Sequence, residues 1–313
     1  MFGGLQMIAM FFERRAVFLL KSKRNLAGFF VSMPGILWLT VFFLIPYFII
    51  ILYSFLTSGI YGGVELPFTL EAYTRMLGNA GYWRILWKTV WISLVATVIC
   101  LGIGLPTAYF IATSKRSNIY LTLVIVPFWT NFLVRIFGWM VILGRNGVIN
   151  SFLQMLGLEE PLTLMYTPGA VILVIVYMYL PYMILPLYSA IEKFDFRLIE
   201  AAMDLGANRT EAIFKVLIPS IKGGIIAGII LVFIPALGSY AIPDLVGGTD
   251  GAMLGNLIAR QLTVARDWPS SSAISMIFLL ISTLGLLVYM RINKIQSKRR
   301  LTIRESYMRE EEI

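Results

Sequence analysis

The residues able to do chemistry fall into two groups. One is a polar stretch around Glu200, Ala201, Ala202, Asp204, Gly206 and Pro219; the other is a pair of charges set in apolar sequence, Arg135 and Asp244. The chemistry of the first group is docking. Glu200 to Leu205 are good helix formers, and Gly206 is a natural helix stop. Asn208 can cap a second short helix, with Glu211 three residues on completing a capping box. Pro219 ends that helix. The spacing predicts helix, Gly turn, helix, with charges at Asp204, Arg209, Glu211 and Lys215. Capped surface helix pairs are common in soluble proteins. Here the pair lies between two long apolar runs, which makes it a grip for a soluble partner.

The second group is costly if it meets lipid. A charge at the bilayer centre costs about 2.5–3.5 kcal/mol, so Arg135 and Asp244 should face protein or water. Arg135 lies about 16 residues into its span, roughly 24 Å from the inner end, and Asp244 about 21 residues into its own, roughly 32 Å along. Both would then sit in the outer half. Asp244 can attract a cation, and Tyr240 and Phe233 would share its helical face at i, i+7, i+11 spacing. Aromatic faces add about 0.5–2 kcal/mol each to alkylammonium binding. Tyr177 with Tyr188, and Tyr179 with Tyr182, share faces of the next apolar run upstream, and Trp129 and Trp139 can join them. Two other readings stand beside this one. Tyr and Trp are enriched at membrane interfaces in any case, and Arg135 and Asp244 can neutralise each other. Since an unpaired guanidinium repels cations, Arg135 reads as a structural partner or gate element.

Much chemistry is excluded. The chain has no histidine and one cysteine, Cys100. That removes His acid–base catalysis, a Ser-His-Asp triad and zinc-site spacing. No G-x-x-x-x-G-K-[ST] loop is present, so the chain should not hydrolyse ATP itself. Glu159 and Glu160 are adjacent, precede Pro161 and read as solvated charge. No enzyme, cofactor or metal is implied. Cys100 reads as a small packing residue.

The elements that must position these residues are membrane helices. The chain is 58% hydrophobic and 14% charged, against about 25% charged in a soluble domain. Six continuous apolar runs, at 29–56, 88–112, 119–143, 168–191, 223–247 and 272–293, are long enough to span hydrocarbon as helices. The expected class is all-α integral membrane, with about six spans. The net charge of +9 does not point to nucleic acid, because of where it lies. If six helices alternate, 19 of the 26 basic residues fall on one side and six on the other. By the positive-inside rule both termini, and the hairpin, are cytoplasmic. Apolar residues Met7 to Phe12 precede the first charges, the reverse of a cleavable signal peptide.

Read against known families, the hairpin resembles the EAA loop of binding-protein-dependent ABC import permeases (MetI-like, type-1 transmembrane domain). That pattern is Glu-Ala-Ala, three residues, Gly, nine residues, then Ile-x-Leu-Pro. Glu200-Ala201-Ala202, Gly206 and Val216-Leu217-Ile218-Pro219 match it with two conservative departures. Further strings resemble the spermidine/putrescine branch. They include Val126-Pro127-Phe128-Trp129-Thr130-Asn131, Ile242-Pro243-Asp244-Leu245 and Arg266-Asp267-Trp268-Pro269. The resemblance implies a type I importer permease fold in the bacterial cytoplasmic (inner) membrane. It implies a cytoplasmic ABC ATPase dimer on the loop, a second homologous permease and an extracytoplasmic substrate-binding protein. The substrate would be a polyamine. A permease for another organic cation, an opine, ferric iron or sulfate shares the framework, and a stand-alone secondary transporter is the remaining alternative.

The expected division is a cytoplasmic tail at 1–27, the first span and an outer loop at 28–87, the permease core at 88–293 with its EAA loop at 192–222, and a basic and acidic cytoplasmic tail at 294–313. Residues 7–20 are either an amphipathic helix on the inner membrane surface or a partly disordered tail. The outer loops at 57–87, 144–167 and 248–271 are expected to carry short interfacial helices, one of them over 253–266. Gly224 and Gly228 form a small-xxx-small pair suited to close helix packing.

Overall fold

The computed structural model describes residues 32–311; the expected tail at 1–27 lies outside them. Helix α1 is Ser32–Tyr53, apolar throughout its length and with none of its most apolar stretch buried within the chain. A π-turn occupies Thr40–Leu44. Of the described residues, Ser32–Tyr53 belongs to one compact unit and the chain from Ser54 to Glu311 to the other.

The second unit begins with strands β1 (Leu56–Ser58) and β2 (Val64–Phe68), an antiparallel hairpin. Helix α2 follows at Glu71–Gly78. The loop expected at 57–87 thus carries a hairpin besides a helix. Gly62 and Gly63, at φ +94° and +87°, let the chain turn back between the strands. Arg75 of α2 donates to Glu71 at 2.7 Å and to Asp267 at 2.9 Å. The hydrogen bond to Glu71, ahead of the attraction of Asp267, raises its pKa against the effect of burial.

Helix α3, Ala80–Thr113, runs 34 residues, about 51 Å. The Asn79 side chain caps it by accepting from the Gly81 N–H at 2.8 Å. Then come α4 (Ser117–Ile125), a 3₁₀ turn at Val126–Trp129, α5 (Phe132–Leu143) and α6 (Val148–Met155). Helix α7 is Pro168–Glu192. Its start follows from Thr167, whose hydroxyl accepts from Ala170 N–H, and from Pro168 in the first turn. It continues through Pro181 and Pro186.

Helices α8 (Arg197–Asp204) and α9 (Arg209–Ser220) form the hairpin, and α10 (Lys222–Leu237) leaves it at a bend of 71°. Short α11 (Ala241–Val246), α12 (Leu254–Thr263) and long α13 (Trp268–Glu311) complete the chain. Among the described residues five helices are long and apolar enough to cross a membrane, or six if α9 and α10 make one bent span. That agrees with the six expected from sequence.

The core lies where α7 packs on α3 and α10. Buried Ile92, Ala96, Cys100, Val174, Met178 and Leu187 belong to it. Cys100 is a packing residue, fully buried, with Sγ 3.7 Å from Val176 O. Met183 of α7 sits between two glycines. A Cβ on Gly104 of α3 would lie 2.8 Å from its Cγ, and one on Gly228 of α10 2.6 Å from its Sδ. One turn away, a Cβ on Gly224 would meet Ala190 Cβ at 2.5 Å and Pro186 O at 2.8 Å. Without a hydrophobic force between helices in lipid, such close approach of backbones is what holds them.

Two expected spans are broken. The run 119–143 is interrupted at Thr130 and Asn131. Thr130 is extended, with its N–H and hydroxyl both satisfied by Pro127 O, and the Asn131 side chain caps α5 by accepting from Leu133 N–H at 2.8 Å. The span with the required length is Phe132–Met155, and Ser117–Trp129 is too short. The run 223–247 is interrupted at Gly238 to Tyr240, between α10 and α11. The depths of roughly 24 and 32 Å expected for Arg135 and Asp244 assumed unbroken helices, so neither holds. For the same reason Phe233, Tyr240 and Asp244 do not share a helical face.

Candidate coupling hairpin and substrate path

Two ends of the second unit are marked along α3. The Thr89 hydroxyl accepts from Leu254 N–H of α12 at 2.9 Å, and the Tyr109 hydroxyl lies 3.4 Å from Arg209 Nη2 of α9. Twenty residues separate the two contacts, about 30 Å along the helix, the thickness of a hydrocarbon core. The hairpin and α12 therefore stand on opposite sides of a membrane-sized slab.

At the hairpin end, α8 closes in a Schellman motif. Gly206 N–H donates to Met203 O at 2.9 Å, and Ala207 N–H to Ala202 O at 3.1 Å. Gly206 takes φ +94°, the left-handed region that the motif needs and glycine reaches without strain. The capping box is formed as expected. Asn208 Oδ1 accepts from Glu211 N–H at 2.8 Å, and Glu211 Oε2 from Asn208 N–H at 3.2 Å. Helix α9 ends one residue after Pro219.

Ile199, Ala212 and Leu217 turn inward and are buried. Glu200, Ala201, Asp204 and Gly206 are exposed, and Ala202 is half-buried. Leu205 is 90% exposed and Phe214 64%. Acidic and large apolar side chains thus share a surface that this chain leaves open. Replacing Asn208 with Ala should cost about 1 kcal/mol of local stability. Amide hydrogen exchange at 209–212 should then quicken about fivefold; unchanged exchange would mean that the cap contributes nothing.

The path residues separate into three places. Trp129 ends the 3₁₀ turn and is 81% exposed. Nearby, Arg135 in the first turn of α5 lies over the Phe128 ring, 5.3 Å from its centroid, with its buried Nε lacking a hydrogen-bond partner. Among the described residues no ion pair joins Arg135 to Asp244. Tyr177 packs edge-on against Trp139 at 5.3 Å and lines an open apolar cleft with Ile99, Ile103 and Leu173. Tyr188, whose hydroxyl donates to Glu192 at 2.5 Å, sits at the hairpin end of α7. Asp244 and Tyr240 form the third place, both exposed, beside Asn256 of α12. The aromatic residues do not make one cage.

A link that sequence reasoning missed runs through α7. Tyr182 packs edge-on against Phe128 at 5.2 Å, beside the first break, and Tyr179 packs on the buried cluster that includes Ala236 and Ile242, on either side of the second. Tyr179 and Tyr182 are themselves 6.0 Å apart. Both helix breaks therefore abut one turn of α7. Interrupted spans of this kind supply backbone groups and half-helix ends to transported solutes. The available signals were Asn131 as a helix cap and Gly238-Ser239 as a stop, each hidden inside an apolar run.

Comparison with known proteins agrees with this geometry. The profile described as binding-protein-dependent transport system inner membrane component matches residues 100–302. The spermidine/putrescine transport system permease protein PotB of Escherichia coli (strain K12) is 42% identical over 265 residues, covering 84% of this chain and 96% of that protein. PotB of Haemophilus influenzae is also 42% identical, covering 84% and 92%. The inner membrane ABC transporter permease protein YdcU of E. coli K12 is 29% identical, covering 84% and 91%. Among solved structures, a bacterial alginate ABC transporter in complex with a periplasmic protein superposes with a TM-score of 0.69 at 15% identity, covering 88% of this chain and 96% of that one. At that identity the likeness is one of fold.

Proposed function

Because this chain belongs to the binding-protein-dependent transport system inner membrane components, the ABC import permeases, we propose that it is the membrane-spanning subunit of an ATP-driven polyamine importer. It is a multi-pass inner-membrane transport subunit, and in this family ATP hydrolysis falls to a separate subunit. The observation that carries the substrate is the 42% identity to spermidine/putrescine permeases over nearly their whole length.

In this reading an extracytoplasmic binding protein delivers a polyamine to the α12 side. A second permease supplies the other wall of the path, and an ATPase dimer grips the exposed face of the hairpin, at Glu200, Ala201, Ala202, Asp204, Gly206 and Pro219. Both termini are cytoplasmic. The hairpin is continuous with α7 upstream and, through the 71° bend, with α10 downstream. A stroke on it therefore moves the two helices whose glycine-and-methionine contact forms the core. These helices also carry the break at Gly238–Tyr240 and the tyrosines beside both breaks. Asp244 attracts the ammonium groups, with Tyr240, Tyr177 and Trp129 as aromatic surface along the way. Tyr188 and Arg135 serve the path indirectly, at the hairpin end and as a gate element.

Asp244→Asn keeps shape and removes charge. It should raise the KM for spermidine about tenfold, the loss of one charge-assisted contact, while complex assembly is retained. Unchanged uptake kinetics would remove Asp244 from the path. The substrate itself is tested by radiolabelled spermidine uptake into vesicles holding the complete importer. Unlabelled putrescine should compete, and iron, sulfate and amino acids should not. Competition by one of those and not by polyamines would overturn the substrate class.

A further inference from the structure

We propose that Asn256 is a positioning residue for transport: it holds the Asp244 carboxylate at the break in the fifth span, ready for the cationic substrate. This rests on the reading of Asp244 as a substrate contact and adds a residue, a geometry and a kinetic signature to it.

Asn256 is 2% exposed, and its amide is fully engaged. Its Oδ1 accepts from Met253 N–H at 3.1 Å. Its Nδ2 donates to Asp244 Oδ1 at 3.1 Å and to Tyr240 O at 3.3 Å. An amide nitrogen has two hydrogens, and both are used. The orientation is therefore fixed by chemistry, since exchanging O and N would face two acceptors with a third.

The group is held by parts of the fold that are not its sequence neighbours. Leu254 N–H is anchored on the buried Thr89 hydroxyl of α3. Gly255 passes so close to the break that a Cβ there would lie 2.7 Å from Ser239 O. A helix on the far side from the hairpin thus reaches into the gap between α10 and α11 and grips both the acid and the Tyr240 carbonyl, which also accepts from Asp244 N–H at 3.0 Å. The donor is neutral. A lysine or arginine in its place would cancel the charge that a cation seeks, whereas an amide fixes one oxygen and leaves the carboxylate's charge available. Asp244 is exposed, and among the described residues it makes no ion pair, so its charge is not otherwise consumed.

A residue acting this way alters substrate affinity more than turnover. In vesicles holding the complete importer, Asn256→Ala should raise the KM for radiolabelled spermidine about tenfold with maximal rate within about twofold. Asn256→Asp keeps the acceptor for Met253, and so the start of α12, but replaces the donor with a second carboxylate about 3 Å from the first. The two acids then share one proton and one negative charge, so Asp244 carries only part of that charge, and KM should rise here too. The double variant Asn256→Ala, Asp244→Asn should be no worse than Asp244→Asn alone. Unchanged KM in both Asn256 variants, additivity in the double variant, or failure of both single variants to assemble would each overturn the assignment. The underlying reading fails separately: it falls if Asp244→Asn leaves KM unchanged. A raised KM there with normal Asn256 variants would sink only the positioning role.

Discussion

Glu200→Lys should abolish ATP-driven uptake, by tenfold or more, while the permease still assembles in the membrane. Glu200 is exposed in the first turn of α8, and its side chain makes no hydrogen bond or ion pair with the described residues. Reversing its charge therefore removes little from the fold; surface changes of that kind usually stay within about 0.5 kcal/mol. Its worth lies in what docks there. Truncating one partner of a desolvated charge pair at an interface costs about 2–5 kcal/mol, and reversal adds repulsion. The checks are uptake, ATPase activity stimulated by the loaded binding protein, and recovery of the assembled complex. Normal coupling in the variant would remove Glu200 from the grip.

Gly224→Val should destroy the bundle where Gly223→Val does not. The two glycines are adjacent in the first turn of α10, yet a Cβ on Gly223 meets nothing within 4 Å. On Gly224 the same atom would collide with Ala190 Cβ and with Pro186 O, a backbone carbonyl of α7 that cannot swing aside. Overpacking costs about 1–3 kcal/mol where side chains can yield, and the rigid obstacle places this site at the top of that range or above. Thermal stability and yield of the purified complex should fall sharply for Gly224→Val and stay near normal for Gly223→Val. Equal behaviour of the two would contradict the packing of α10 on α7.

The hairpin was legible in the sequence because its signals are local. A capping box needs two side chains three residues apart, and a Schellman turn needs one glycine. The spans were legible as apolar runs for the same reason. The breaks were not, because each is only two or three residues long, Thr130-Asn131 and Gly238 to Tyr240, with mainly apolar sequence on both sides. What stops the helix is the 3₁₀ turn at Pro127 with the Asn131 cap in one case, and Gly238-Ser239 in the other. Periodicity carries no trace of either. Asn256 was invisible for a further reason. Its partners, Tyr240 and Asp244, come from the other side of a loop, and only the fold brings them together.

The most direct measurement uses a single new thiol. The chain's one cysteine, Cys100, is fully buried, so Leu205→Cys, at the tip of the hairpin and 90% exposed in the wild type, would be the reactive site. In intact cells a membrane-impermeant maleimide should leave it unlabelled, and in inverted vesicles a short crosslinker should join it to the nucleotide-hydrolysing subunit, in a yield that changes when ATP is added. Labelling from outside the cell, or an accessible thiol that never joins an ATPase, would contradict the coupling account.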